Sequence, residues 1–161
     1  MVIIIIKPCY RKGFFSQSHR FSEFGTFFVY RLAETNNTVY MNPKILLVDD
    51  NEDLLLITQI ILKGQGYDIV LARSLEEAHR KVKIHQPVMA MLDVSLGDGD
   101  GREFCEELKR DESTNHIKVI MMSGDDSETN RNTCADAFLP KPFDFNDLVE
   151  TVHQLMSYET A

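Results

Sequence analysis

Met89-Ala90-Met91-Leu92-Asp93 is an apolar run that ends abruptly in a carboxylate. Two other runs close on polar side chains in the same way. Lys44-Ile45-Leu46-Leu47-Val48 stops at Asp49-Asp50, and Ile117-Lys118-Val119-Ile120-Met121-Met122 stops at Ser123. A shorter run, Ala137-Phe138-Leu139, leads through Pro140 to Lys141. Near-continuous apolar strands mark a parallel sheet covered on both faces. Such open sheets bind ligands beyond the carboxyl ends of their strands. Acids, a hydroxyl and an ammonium are therefore expected along one rim, and that rim is the candidate site.

Outward from these runs, strand and helix patterns alternate from Pro43 onward. Leu54, Ile57, Ile60 and Ile61 repeat at helical spacing and are expected to face the core, with Gly64 and Gly66 ending that helix. Asp68-Ile69-Val70-Leu71-Ala72 reads as a second strand. Ser74 and Glu77 form a capping box before a helix with Leu75, Ala78 and Val82 inside. Pro87 introduces the strand ending at Asp93. After a Gly/Asp-rich loop, Asp100 and Glu103 cap a helix that buries Phe104 and Leu108. A last helix from about Asp144 buries Leu148, Val152, Leu155 and Met156. The result is five βα units with right-handed crossovers.

Charge is unevenly distributed. The 161 residues carry a formal net charge of -8, of which residues 1–41 hold +3 and the remainder -11. An acidic body is ill suited to the phosphate backbone of a nucleic acid, whose affinity rests on Lys and Arg, but it suits a cation. Cys9, Cys105 and Cys134 are odd in number and form no CxxC pair, which predicts reduced, inert thiols in a cytosol. No run approaches the roughly 18 apolar residues of a membrane span, and Lys7-Pro8 cuts Val2-Ile3-Ile4-Ile5-Ile6 short of a signal core. A cytoplasmic protein is the expectation.

Residues 1–41 stand apart and carry nine of the 15 aromatic residues. Phe21, Phe24 and Phe28 have the spacing of a short amphipathic helix, which Gly25 weakens. The segment reads as a poorly ordered extension before the domain, as an anchor for a partner, or as a stretch preceding a true start at Met41.

The chemistry is weighed on the acids first. Asp49-Asp50 alone would read as a helix cap that complements the dipole. With Asp93 at a neighbouring strand end, three carboxylates repel one another and raise pKa values. A hard divalent cation relieves that conflict, and Mg²⁺ favours a few carboxylates with water and phosphate oxygens. Lys141 adds a point charge and Ser123 a hydroxyl donor for the oxygens of a phosphoryl group. Together they read as a metal-assisted phosphoryl site.

Ile45-Leu46-Leu47-Val48-Asp49-Asp50-Asn51-Glu52, Leu92-Asp93 with Gly101 eight residues on, Met122-Ser123-Gly124, and Phe138-Leu139-Pro140-Lys141-Pro142-Phe143 occur in this order. This series resembles the receiver domain of two-component response regulators, over about residues 43–158. The resemblance implies a flavodoxin-like, doubly wound α/β fold with a five-stranded parallel sheet in the order 2-1-3-4-5. It implies that Asp93 accepts a phosphoryl group from a sensor histidine kinase or a histidine phosphotransfer protein. Asp50, Asp93 and the Ser95 backbone carbonyl would bind Mg²⁺ directly, and Asp49 mainly through water. Ser123 and Lys141 would bind phosphoryl oxygens, and Phe138 would be the aromatic switch that turns inward as Ser123 is recruited. The Lys141-Pro142 bond is expected to be cis. Beyond phosphorylation and dephosphorylation of Asp93 itself, no enzymatic activity is implied.

Two departures matter. Gly97 stands where the family usually has proline, so the loop after Asp93 should be less rigid. Ser123 and Lys141 are 18 residues apart, about four fewer than usual, or roughly one helical turn. With poor helix formers from Ser127 to Thr133, the fourth helix is expected to be shortened. The chain's end soon after Tyr158 suggests output through an unknown downstream protein rather than an attached domain. A non-phosphorylated interaction module with the same fold is the alternative. Asp98, Asp100 and Glu107 partly mimic an EF-hand loop, but Leu96 occupies its first ligand position, so calcium is rejected.

Overall fold

The computed structural model describes residues 2–6, 28–32, 42–124 and 134–157. Five parallel strands form the central sheet: β3 (Lys44–Val48), β4 (Asp68–Ala72), β5 (Met89–Asp93), β8 (Lys118–Ser123) and β9 (Ala137–Pro140). Their order is β4-β3-β5-β8-β9. Counted along this sheet alone, that is the expected 2-1-3-4-5.

Each strand alternates its side chains between two cores. Leu46, Val48, Ala90, Leu92, Val119 and Met121 face one layer, with α2 (Leu75–His85) and α3 (Gly101–Arg110). Ile45, Leu47, Met89, Met91, Ile120 and Met122 face the other, with α1 (Glu52–Gly64) and α4 (Phe145–Ser157). Burial on both faces explains why these strands read as unbroken apolar runs. No described helix is long and apolar enough to cross a membrane.

Capping follows the sequence closely. Ser74 Oγ accepts from the Glu77 N–H at 3.2 Å and Asp100 caps α3. The cap of α1 is Asn51, whose side chain accepts from the Asp53 and Leu54 N–H groups. Capping therefore makes no demand on the carboxylates of Asp49 and Asp50.

Helix α1 is rotated from its expected phase. Its core residues are Leu55, Thr58 and Leu62, while Ile57 and Ile60 are 42% and 62% exposed. From Leu54 to Leu62 the helix is apolar nearly all round, so periodicity alone does not choose a face.

Three further features depart from expectation. The loop after Asp93 contains a small antiparallel ladder, β6 (Ser95–Leu96) on β7 (Gly99–Asp100). Within residues 1–41, β1 (Val2–Ile6) pairs antiparallel with β2 (Phe28–Leu32). Phe28 thus lies in a strand where a helix through Phe21, Phe24 and Phe28 was expected, and Phe21 and Phe24 lie outside the described residues. The shortened fourth helix, expected after Ser123, also falls largely outside them, at 125–133.

Cys105 and Cys134, expected as separate thiols, form a disulfide with a Cα–Cα distance of 6.2 Å. They are 29 residues apart in sequence. Only the packing of α3 beside the entry to β9 makes them neighbours, which spacing rules do not reveal.

Thr58 is fully buried, and its hydroxyl has no hydrogen-bond partner among the described residues. A buried unsatisfied hydroxyl carries an uncompensated desolvation penalty. Thr58→Val is expected to stabilise the domain by about 1 kcal/mol, read as a higher urea midpoint with an unchanged slope.

Candidate functional site

Three strand ends and one loop build the site. β3 delivers Asp49 and Asp50, β5 delivers Asp93, β8 ends in Ser123, and the turn after β9 carries Lys141. Parallel register brings them level: Asp93 pairs with Met122, and Ser123 with Pro140. The Lys141 N–H donates to the Ser123 carbonyl at 2.6 Å, which seats the lysine at the rim. The Lys141-Pro142 peptide is cis, as expected.

One carboxylate oxygen from each of Asp49, Asp50 and Asp93 lies within 4.8 Å of the others. Asp49 is 1% exposed and Asp93 7%, whereas Asp50 is open to solvent. Lys141 Nζ donates to Asp49 Oδ2 at 2.7 Å and lies 3.0 Å from Asp93 Oδ1. Asp49 Oδ1 accepts from the Asn51 N–H at 2.9 Å. Among the described residues one ammonium meets two of the three acids, and the set carries an excess of negative charge.

The Asp93 carboxyl has a raised pKa. Burial is the main cause and the Asp49 charge adds to it, while the Lys141 ammonium and the Ser95 N–H pull the other way. The donor set is one of hard oxygens with a half-open side at Asp50. It fits a hard divalent cation, which would replace the missing positive charge.

The expected residues divide clearly by position. Asp49, Asp93 and Lys141 meet at contact distance, with an Asp50 oxygen within 4.8 Å of the other two acids. Ser123, 4% exposed, ends the adjacent strand. The Ser95 N–H bonds the Asp93 carboxylate, so its peptide borders the cluster. Phe138 does not join them; it lies one strand further out, half-buried against the α2/α3 core.

Sequence reasoning missed one supporting residue, Asp98, and marked Gly101 without the contact that requires it. Gly101 sits where a Cβ would lie 2.0 Å from the Asp93 carbonyl oxygen, and its N–H donates to the Val94 carbonyl at 2.9 Å. Helix α3 therefore starts directly on the backbone of Asp93, an approach only glycine allows. Asp98 accepts from the Leu75 and Glu76 N–H groups at 3.0 and 3.2 Å, tying the loop after Asp93 to the start of α2. Next to Asp98 in the chain, a Cβ on Gly97 would be 3.9 Å from Asp50 Oδ2. The eight-residue spacing from Asp93 pointed to Gly101. Nothing in the sequence pointed to Asp98 as a cap, because its acceptor role depends on a helix 23 residues earlier.

Comparison with known proteins gives concordant results. Residues 45–153 match the family model described as "Response regulator receiver domain". The alkaline phosphatase synthesis transcriptional regulatory protein PhoP of Bacillus subtilis is 35% identical over 107 residues, covering 64% of this chain and 44% of that protein. The polar-differentiation response regulator DivK of Brucella ovis is 29% identical over 117 residues, covering 70% and 94%. The chain spans about half the length of the first two curated relatives, 44% of PhoP and 49% of the Synechocystis regulator RpaA. Among solved structures, a CheY-like receiver domain protein from Methanospirillum hungatei superposes with a TM-score of 0.66 at 29% identity, covering 72% of this chain and 94% of that one. TrrA of Thermotoga maritima, solved in complex with Mg(2+)-BeF, gives 0.65 at 26% identity, covering 70% and 98%.

Two outcomes test the site's physics. In metal-free buffer, Asp93→Asn is expected to raise the melting temperature at neutral pH. A raised folded-state pKa means that ionisation of Asp93 opposes folding, so the gain should fade as pH drops through the carboxylate range and the wild-type acid protonates. Gly101→Ala should destabilise by at least the roughly 1–3 kcal/mol of an overpacked contact, because the clash is with backbone and cannot be relieved by a rotamer change. Denaturant titration measures it.

Proposed function

Because the chain belongs to the response regulator receiver domain family, we propose that it is a phosphoaccepting switch of a two-component phosphorelay. In this reading Asp93 takes a phosphoryl group from a histidine kinase or histidine phosphotransfer protein, and the phosphorylated domain signals through a downstream protein in the cytoplasm. The observation that carries it is the clustering of the Asp49, Asp50 and Asp93 carboxylates, with the Lys141 ammonium on Asp49 and Asp93.

Each residue has a derivable task. An Asp93 carboxylate oxygen attacks phosphorus as the P–N bond of the donor phosphohistidine breaks, leaving the imidazole to the donor. Phosphoryl transfer asks mainly for alignment and charge stabilisation. Lys141 and the Ser123 hydroxyl would meet two peripheral oxygens. Asp49, Asp50, Asp93 and the Ser95 carbonyl would hold Mg²⁺, which supplies charge neutralisation for the phosphoryl oxygens. Lys141 already pairs with Asp49 and Asp93, so it neutralises part of the cluster and positions the nucleophile. Mg²⁺ in the TrrA complex supports the choice of ion. In this reading the chemistry acts on the domain's own aspartate.

Once phosphorylated, Asp93 carries extra charge that draws the Ser123 hydroxyl inward. Phe138, in the strand beside Ser123, would then turn into the space vacated. The partner recognises the resulting surface around β9 and α4.

Incubation with Mg²⁺ and a small acyl phosphate is expected to add one phosphoryl group, about 80 Da, on intact-mass analysis. Asp93→Asn and removal of Mg²⁺ by chelation should each abolish the gain. Lys141→Met should slow it roughly a hundredfold, the usual loss of a charge-stabilising donor. Absence of the gain in wild type with Mg²⁺ would leave an interaction module that is not phosphorylated.

A further inference from the structure

The disulfide lies outside the acidic site, yet it joins two places that bear on it. Cys105 is in α3, four residues after the Gly101 contact with Asp93, and is fully buried. Cys134 is only partly buried, against the same core as Cys105 and Phe138. The bridge closes a loop that contains all of β8, including Ser123. Four residues beyond Cys134 is Phe138, and three further on is Lys141.

We propose that Cys105–Cys134 is a reversible thiol–disulfide site for small thiols and disulfides, and that its oxidised form restrains the segment that must shift when Asp93 is phosphorylated. The functional half of this inference rests on the phosphoacceptor reading given above; the redox half does not.

The burial asymmetry fixes the order of steps. A small disulfide, RSSR, reaches only Cys134. The Cys134 thiolate attacks one sulfur of RSSR, that S–S bond breaks, and one RSH departs with the proton. The Cys105 thiol then loses its proton, attacks the Cys134 sulfur and expels the second RSH. Two electrons pass from the cysteine pair to the reagent, and two molecules of RSH form. Reduction by a small dithiol runs the same path backwards. It begins at the Cys134 sulfur and is slowed because the first thiolate released enters the core.

Reduction leaves the neighbourhood folded. Lys109 Nζ donates to Asp136 Oδ2 at 2.6 Å and to the Ile117 carbonyl at 2.8 Å, and the Val119 N–H donates to Asp136 Oδ2 at 2.8 Å. The Asp136 N–H also donates to the Val119 carbonyl at 2.8 Å. The entry to β9 thus keeps its polar clamp without the covalent bond. What changes on oxidation is the freedom of Cys134, Ala135 and Phe138 relative to α3.

The test uses the full chain equilibrated in reduced or oxidised dithiothreitol, quenched with a maleimide in denaturant so that buried thiols react, and weighed. Three adducts are expected when reduced and one, on Cys9, when oxidised, since the chain has three cysteines and one bridge. Each form is then treated with Mg²⁺ and a small acyl phosphate. The oxidised form should gain phosphate about fivefold more slowly, at the low end of usual coupling between sites. Cys134→Ser and Cys105→Ser should match the reduced rate in both buffers. An adduct count that ignores the buffer overturns the redox site. Equal rates with a changing count overturn the restraint. If neither form is phosphorylated, the phosphoacceptor reading fails instead. The restraint is then judged by hydrogen exchange at Ala135–Phe138, which must be slower in the oxidised form for it to stand.

Discussion

Two nearly buried carboxylates share one ammonium, with a third carboxylate beside them at the surface. Everything near the rim is arranged around that imbalance. Buried like charges are costly unless neutralised, and Lys141 answers only part of the charge through Asp49 and Asp93. The site stays short of positive charge while the surrounding sheet holds the acids in place. A cation and a phosphoryl group with its own ligands are the kind of visitors such a rim accepts. The raised Asp93 carboxyl is the local sign of the same conflict.

The sheet supplies the precision. Parallel register puts Asp93, Ser123 and the approach to Lys141 level, and both faces are sealed by helices. Glycine at 101 allows α3 to begin against the Asp93 backbone. The acid therefore projects from a point held on three sides: by β3, by β8 and by the helix start. Small displacements at that point are transmitted because close-packed interiors do not deform smoothly.

Much of this was legible in the chain. Apolar runs that stop on acids gave the strands, their two-sided burial and the identity of the rim, because strand ends in a parallel sheet necessarily lie together. The phase of α1 was not legible, since a helix that is apolar from Leu54 to Leu62 offers several faces. Its rotation leaves Leu56, Ile57 and Ile60 exposed where two of them were expected inside. The Cys105–Cys134 bond was hidden for a different reason. It depends on how α3 packs against a segment 29 residues away, and local spacing carries no trace of that. The β6/β7 ladder was obscured by its glycines, which read as loop.

The link from Asp98 to the first turn of α2 has a mechanical consequence. The stretch that follows Asp93 is not an independent flap: moving it away from Leu75 and Glu76 would strand two backbone donors, and moving it toward them would drive Gly99 into the Leu75 side chain. Its travel is bounded in both directions. A helix on the sheet's outer flank and the peptide beside the acids therefore form one lever, with its fulcrum at the ladder between Ser95 and Asp100.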